Sequence, residues 1–289
     1  MTRVRRAVLL VVALVLLGAL WEGYKAIGGE NGGTILGVRV LPRADDISMP
    51  HLWQIWERFG QPELSSEGSR SVGVAVLTAM WFTFRVAFAG WLAGTVFGVV
   101  LAAVMQRFRT AESALLPYVV VSQTVPLVAL APLVVGWGGH LTVLGRPWQP
   151  WMSVATIAAY LAFFPVAVGT LRGLQSPTTV QVGLLHCYAA SWWQSLMRLR
   201  MPACVPYLLP ALRLAATASV IGAIVAEIST GTRGGIGRLI IEYAQSATGD
   251  PAKPFAAIIG AAVLGMVAAG SVGAVERALR RFRPAEGAE

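Results

Sequence analysis

Long runs almost free of charge alternate with short polar interruptions along this chain. The first apolar run, AVLLVVALVLLGALW, follows Arg3, Arg5 and Arg6. A signal peptide would share that basic start and apolar middle, and it stays open as the alternative. Trp21, Glu22, Gly23, Tyr24 and Lys25 stand where small cleavage-site residues would be needed, so the run reads as an uncleaved first span. Further runs predict spans near Ala75 to Met105, Ala114 to Trp137, Trp151 to Leu171, Tyr207 to Ile228 and Phe255 to Val275. The expected fold is therefore all-α, a polytopic membrane protein with about six transmembrane helices.

The interruptions refine this picture. Residues 28 to 74 are the most polar region. Within it HLWQIWERF (His51 to Phe59) is amphipathic, with Leu52, Ile55, Trp56 and Phe59 expected on one side. It reads as a helix on the outer membrane surface, or as a connecting loop with one buried turn. The second span carries Gly90, Gly94 and Gly98 at four-residue spacing, a smooth stripe that lets another helix backbone approach. Pro117, Pro126 and Pro132 interrupt the third span, and each removes a backbone donor and kinks a helix. Ser122, Gln123 and Thr124 precede Pro126 and are candidates for a translocation pathway. Hydrogen bonding between helices is the competing reading. Glu227 ends the fifth span, either as a pathway group or as a cap on the loop GTRGGIGRLI that follows.

Composition supports a membrane protein: 56% of residues are apolar and 13% charged, against roughly 25% charged in soluble domains. The 23 Lys and Arg against 14 Asp and Glu read as topology signals, with no nucleic-acid partner expected. Arg107 and Arg109, Arg172, Arg198 and Arg200, and Arg277, Arg280, Arg281 and Arg283 cluster in short segments. By the positive-inside rule these face the cytoplasm, as do both termini. Cys187 and Cys204 form no CxxC and have no neighbouring His pair, so no metal site is expected. The lysines are Lys25 and Lys253, and neither follows a Gly-rich loop, so the chain lacks a P-loop.

The basic stretch GLLHCYAASWWQSLMRLRMPACVP, from Gly183 to Pro206, then falls on the cytoplasmic side. It resembles the coupling motif of bacterial ABC importer permeases: Glu-Ala-Ala, three residues, Gly, nine residues, Ile, one residue, Leu-Pro. Anchored on Met201 and Pro202, the motif's Ile falls on Leu199, its Gly on Ala189 and its Glu-Ala-Ala on Gly183, Leu184 and Leu185; only Pro202 is identical. The flanks strengthen the likeness. SVIGAIVAE before GGIGRLI, and SQTVPLVALAPLVVGWGG, resemble the nitrate, sulfonate and taurine-type branch. The resemblance covers most of residues 75 to 283.

The resemblance implies a type I permease fold and a second permease subunit, here a homodimer. It implies a cytoplasmic ABC ATPase dimer that uses the ATP, so this chain needs no cofactor and carries no catalytic residue. An extracytoplasmic solute-binding protein delivers the solute, a small sulfonate-, nitrate- or taurine-like anion or a pyrimidine vitamin precursor. A coupling helix over about Ala189 to Leu199 would dock on the ATPase through Ala189, Ala190, Ser191, Trp192, Trp193, Leu196, Met197 and Pro202. An amphipathic helix lying on the membrane is the other reading of that stretch. Pathway residues would be Ser122, Gln123, Thr124, Pro126 and Glu227. The expected domains are an N-terminal span (1–28), an extracytoplasmic loop (29–74), a permease core (75–283) containing the coupling loop (173–206), and a tail (284–289). The location is the bacterial plasma membrane, among its lipids. An ion-coupled secondary transporter is the alternative; it would need paired charges at mid-membrane, and the predicted spans beyond the first hold only Arg85, Arg213 and Glu227 as charged residues.

Overall fold

A computed structural model describes residues 3–28, 34–35, 38–39, 43–64, 68–143 and 145–280. Arg281, Arg283 and the tail at 284–289 lie outside the described residues, as do the side chains of Arg3, Arg6, Arg277 and Arg280. The described elements are helices α1 (Arg3–Gly28), α2 (Leu52–Arg58), α3 (Val72–Arg107), α4 (Arg109–Ser122), α5 (Leu127–Gly138), α6 (Pro150–Leu174), α7 (Thr179–Cys187), α8 (Trp192–Ser195), α9 (Met201–Thr230), α10 (Ile236–Gln245) and α11 (Ala252–Arg280). Short antiparallel pairs join Thr34–Ile35 to Val38–Arg39 and Thr142–Val143 to Arg146–Pro147. Five helices are long and apolar enough to cross a membrane, and α4 with α5 makes a sixth span if the bent pair counts as one. The chain is all-α and polytopic, as its apolar runs predict.

The chain divides into two compact units, Met1–Thr78 with Leu239–Gly260, and Ala79–Arg238 with Ala261–Glu289. In the first unit the loop after α1 is stitched down by polar contacts. Trp21 Nε1 donates to the Pro50 carbonyl (3.1 Å) and Lys25 Nζ to that of Met49 (2.6 Å), while Lys25 also pairs with Asp46. Glu22 accepts the Leu52 amide (2.9 Å) and meets His51 Nδ1 (2.7 Å). In α2, Ile55 is buried but Trp56 is exposed, so the apolar side expected from Leu52 to Phe59 divides between interior and surface. Further along, Glu63 accepts from Arg70 Nε (2.6 Å) and Tyr243 Oη (2.9 Å), and Arg58 bonds Asp250 (2.7 Å). The Glu63 carboxyl is partly buried, which works against its ionisation, but the Arg70 and Tyr243 bonds hold its pKa below the usual glutamate range.

In the second unit the core is built from small residues. Gly90, Gly94 and Gly98 of α3 lie against α6: a Cβ on Gly90 would fall 2.5 Å from Ala158 Cβ, and one on Gly98 2.8 Å from the Phe163 carbonyl. Gly169 meets Ala211, and Gly173 meets Cys204, in the same manner between α6 and α9. Ala162, Val166 and Ala215 are buried together behind these contacts. Small residues let dispersion act between backbones, the packing available where water supplies no hydrophobic drive.

The third span departs from expectation. It is no kinked helix from Ala114 to Trp137, but two helices bent by 104° at a break. Pro117 and Pro132 are absorbed inside α4 and α5, and the break falls at Pro126 alone, the N-cap of α5. A proline pushes the residue before it, Val125, out of helical conformation, and Pro126 has no N–H to continue the ladder.

Candidate functional site

The loop between α6 and α9 folds as two capped pieces. Thr178 caps α7 with its hydroxyl on the Gln181 amide, and Gln181 answers through its side chain to the Thr178 amide. At the far end the Ala190 amide reaches the Leu185 carbonyl (3.0 Å) and the Ala189 amide that of His186 (2.9 Å). These are the two bonds of a Schellman motif, which places its C′ residue in left-handed conformation. That residue is Ala189, with φ of 51°. A side chain there costs about 1 kcal/mol relative to glycine. This is the position expected to match the coupling motif's Gly, the residue type that enters the left-handed region most freely. Ser191 then caps α8, paired reciprocally with Gln194.

These caps correct the expected helix over Ala189 to Leu199. The free-standing helix is α7, one motif-half earlier; Ala189 and Ala190 are the turn, and helix resumes only at Trp192. From there it runs on as one 39-residue apolar span to Thr230. It passes a π turn at Leu196–Arg200, directly before Pro202, which offers no N–H.

The expected contact residues separate accordingly. Trp193 and Met197 are exposed; Leu196 is 3% exposed and packs with Ala102, Met105, Leu171, Leu174 and Cys204, so it faces the interior. Trp192 is half-buried against the same cluster, and Pro202 is exposed. The residues sequence reasoning passed over are Val180, Leu184 and Tyr188. They recur every four positions along and just past α7, which buries nothing, and with Trp193 and Met197 they are 48–79% exposed. The signal was in the spacing, i, i+4 and i+8 on one helical face.

The pathway candidates fall in two places. Ser122, Gln123, Thr124 and Pro126 make up the elbow between α4 and α5. The Ser122 and Thr124 hydroxyls turn back onto the Val119 (2.7 Å) and Val121 (2.8 Å) carbonyls, and Tyr160 Oη donates to the Ser122 carbonyl. Gln123 is exposed. Helix ends freed by the break are thus satisfied by local hydroxyls and a tyrosine on α6, as apolar surroundings demand.

Glu227 is fully buried on α9. Its oxygens accept from Thr83 Oγ1 on α3 (2.8 and 3.0 Å) and from the Gly237 amide (2.9 Å), and Thr83 Oγ1 in turn accepts the Ile236 amide (2.9 Å). A Cβ on Gly235 would lie 2.1 Å from the Glu227 carboxyl carbon. The carboxyl group therefore fastens the loop after α9 to α3, and none of these bonds reaches the elbow. Thr83 could not be found from sequence: it sits inside an apolar run, 144 positions from its partner.

Comparisons with known proteins agree with this architecture. Residues 94–281 match the family described as binding-protein-dependent transport system inner membrane component. The chain is 32% identical over 184 residues to the formylaminopyrimidine transport permease protein ThiX of Halalkalibacterium halodurans, covering 61% of this chain and 70% of the relative. It is 28% identical over 194 residues to the putative aliphatic sulfonates transport permease protein SsuC of Bacillus subtilis, covering 67% and 66%. The crystal structure of an amino acid ABC transporter with histidines shares the fold, with a TM-score of 0.55 at 18% identity over 73% of this chain and 95% of that one. By its matched core and its spans, the chain belongs to the binding-protein-dependent transport system inner membrane components, the multi-pass permeases of ABC importers.

Proposed function

We propose that this permease forms half of the membrane channel of an ATP-driven importer and docks a separate ATPase dimer through the α7–α8 loop. The observation that carries the reading is the exposed apolar set Val180, Leu184, Tyr188, Trp193 and Met197, lying on two capped pieces at the position of the coupling motif. Bulky apolar side chains on rigid, capped backbone are what a groove on a partner can grip at little entropic cost. ATP binding draws the ATPase subunits together, and the loop passes that motion to the spans.

The basic segments support a cytoplasmic side for this loop and both termini at a bacterial plasma membrane. A second copy of the chain completes the pathway, and an extracytoplasmic binding protein delivers the solute. The elbow at Ser122–Pro126 lines the pathway, with Gln123 its polar side chain. Glu227 belongs to the permease core as a fastening, without a place on the solute's route. The likeness to permeases named for a formylaminopyrimidine and for aliphatic sulfonates supports a small organic solute, an anion or a pyrimidine vitamin precursor.

The test is association. Trp193→Asp and Met197→Asp each place a charge in the docking face. Each is expected to weaken co-purification with the cognate ATPase at least thirtyfold, the scale of losing one interface anchor of about 2 kcal/mol or more. The permease should stay folded in the membrane, since neither side chain is part of its core. ATPase association unchanged in both variants contradicts the docking assignment.

A further inference from the structure

A docking face moves the spans only if the segment carrying it is fastened to them. α7 is not: none of its residues is buried. The segment after it is held by the buried Leu196 side chain, packed against α3 and α6, and by two polar contacts on either side of it. Trp192 Nε1 donates to Gln106 Oε1 (3.2 Å), and the Arg107 guanidinium lies 5.3 Å from the Trp192 ring centroid, so α8 is tied to the last turn of α3. Arg200 Nη1 donates to the Leu174 carbonyl (2.8 Å), which ties the start of α9 to the last turn of α6.

Between the two polar contacts the main chain passes through the π turn at Leu196–Arg200. A π turn closes i→i+5 rings, wider than those of the α-helix on either side, and such turns are found frequently at functional sites. Pro202 removes the next donor. The buried Arg200 Nε has no hydrogen-bond partner among the described residues, so that side chain is held by its single bond to Leu174. The Trp192, Leu196 and Arg200 side chains thus carry the contacts between this segment and α3 and α6.

We infer that Trp192, held on Gln106, is the positioning residue through which movement of the docking face reaches α3, with Arg200 doing the same for α6. This rests on the ATPase-docking reading above. Trp192 itself need not touch the ATPase; it is half-buried, and its ring meets both Arg107 of α3 (5.3 Å) and the exposed Trp193 (ring centroids 5.4 Å).

The test separates docking from transmission. Cys187 is exposed on α7 and takes one spin label; Val104→Cys, at an exposed position in the last turns of α3, takes the other in a Cys187→Ser background. Distances between the two copies are measured in the full complex with its ATPase, with and without ATP plus vanadate. In the parent protein both labels should shift. In Gln106→Leu and Trp192→Phe, which keep the packing but remove the hydrogen bond, Cys187 should still shift. The shifted population at position 104 should fall about fivefold, the scale of one lost hydrogen bond. Gln106→Glu keeps the acceptor and should restore the shift at 104.

A shift at 104 that survives Gln106→Leu and Trp192→Phe undiminished overturns the transmission role while leaving docking intact. No nucleotide-dependent shift at Cys187 in the parent complex, with no ATPase co-purifying, overturns both.

Discussion

Gly235→Ala is expected to be among the most damaging single-methyl changes in the molecule. The added carbon would lie 2.1 Å from the Glu227 carboxyl carbon and 2.2 and 2.3 Å from its oxygens. No flexible side-chain end can yield, because the carboxyl group is fixed by Thr83 and by the Gly237 amide. Relief requires driving Glu227 off those donors, which leaves a buried carboxyl group, the Thr83 hydroxyl and the Gly237 amide without their partners. Each buried hydrogen-bonding group left unsatisfied costs about 1–3 kcal/mol. Thermal unfolding of the purified permease in detergent should show this as a large fall in Tm. Glu227→Ala alone should also destabilise, because the Thr83 hydroxyl and the Gly237 amide lose their acceptor. The combination Gly235→Ala with Glu227→Ala should cost less than the sum, since the methyl group then enters vacated space. Strict additivity would show that the two residues do not meet.

Gly94→Leu is expected to prevent α3 from packing on α6. A Cβ at Gly94 would stand 2.6 Å from the Ala159 carbonyl and 3.1 Å from the Phe163 amide, so the obstacle is helix backbone. Separating the helices to admit a leucine also undoes the neighbouring contacts of Gly90 and Gly98. The cost should exceed about 3 kcal/mol, the upper range for overpacking. Size-exclusion chromatography should show aggregated or missing protein. Gly265→Leu is the matched control, because nothing lies within 4 Å of a Cβ there. It should behave as the parent does, and a similar loss in both variants would remove the stripe's special role.

The parts of this account that sequence made legible are those written in spacing. Apolar runs announce the spans because a membrane requires continuous stretches of about 20 apolar residues. Gly90, Gly94 and Gly98 announce a close approach, and only the partner, Ala155 to Ala167 of α6, had to come from the structure. Prolines announce that a ladder breaks, but not by how much: Pro117 and Pro132 are tolerated within helices while Pro126 turns the chain through 104°.

The loop between α6 and α9 shows the same limit at finer scale. The motif likeness located it, yet Ala189 says nothing about the left-handed turn it occupies, because alanine is not the residue that turn prefers. The helix was therefore expected to begin at the turn itself. Leu196 and Trp193 look equivalent as bulky apolar residues three apart, and only packing shows one turned inward and the other outward. Glu227 was recognisable as a costly group near a span; its meaning depended on Thr83 and Gly235, which no local pattern connects to it.

The most direct test of the importer reading is native mass spectrometry of the complex purified from its own membrane through a tag on this chain. The account predicts two copies of this 30.7 kDa chain with two copies of an ATPase subunit. This chain recovered without any ATPase, under conditions that keep membrane complexes intact, would contradict it.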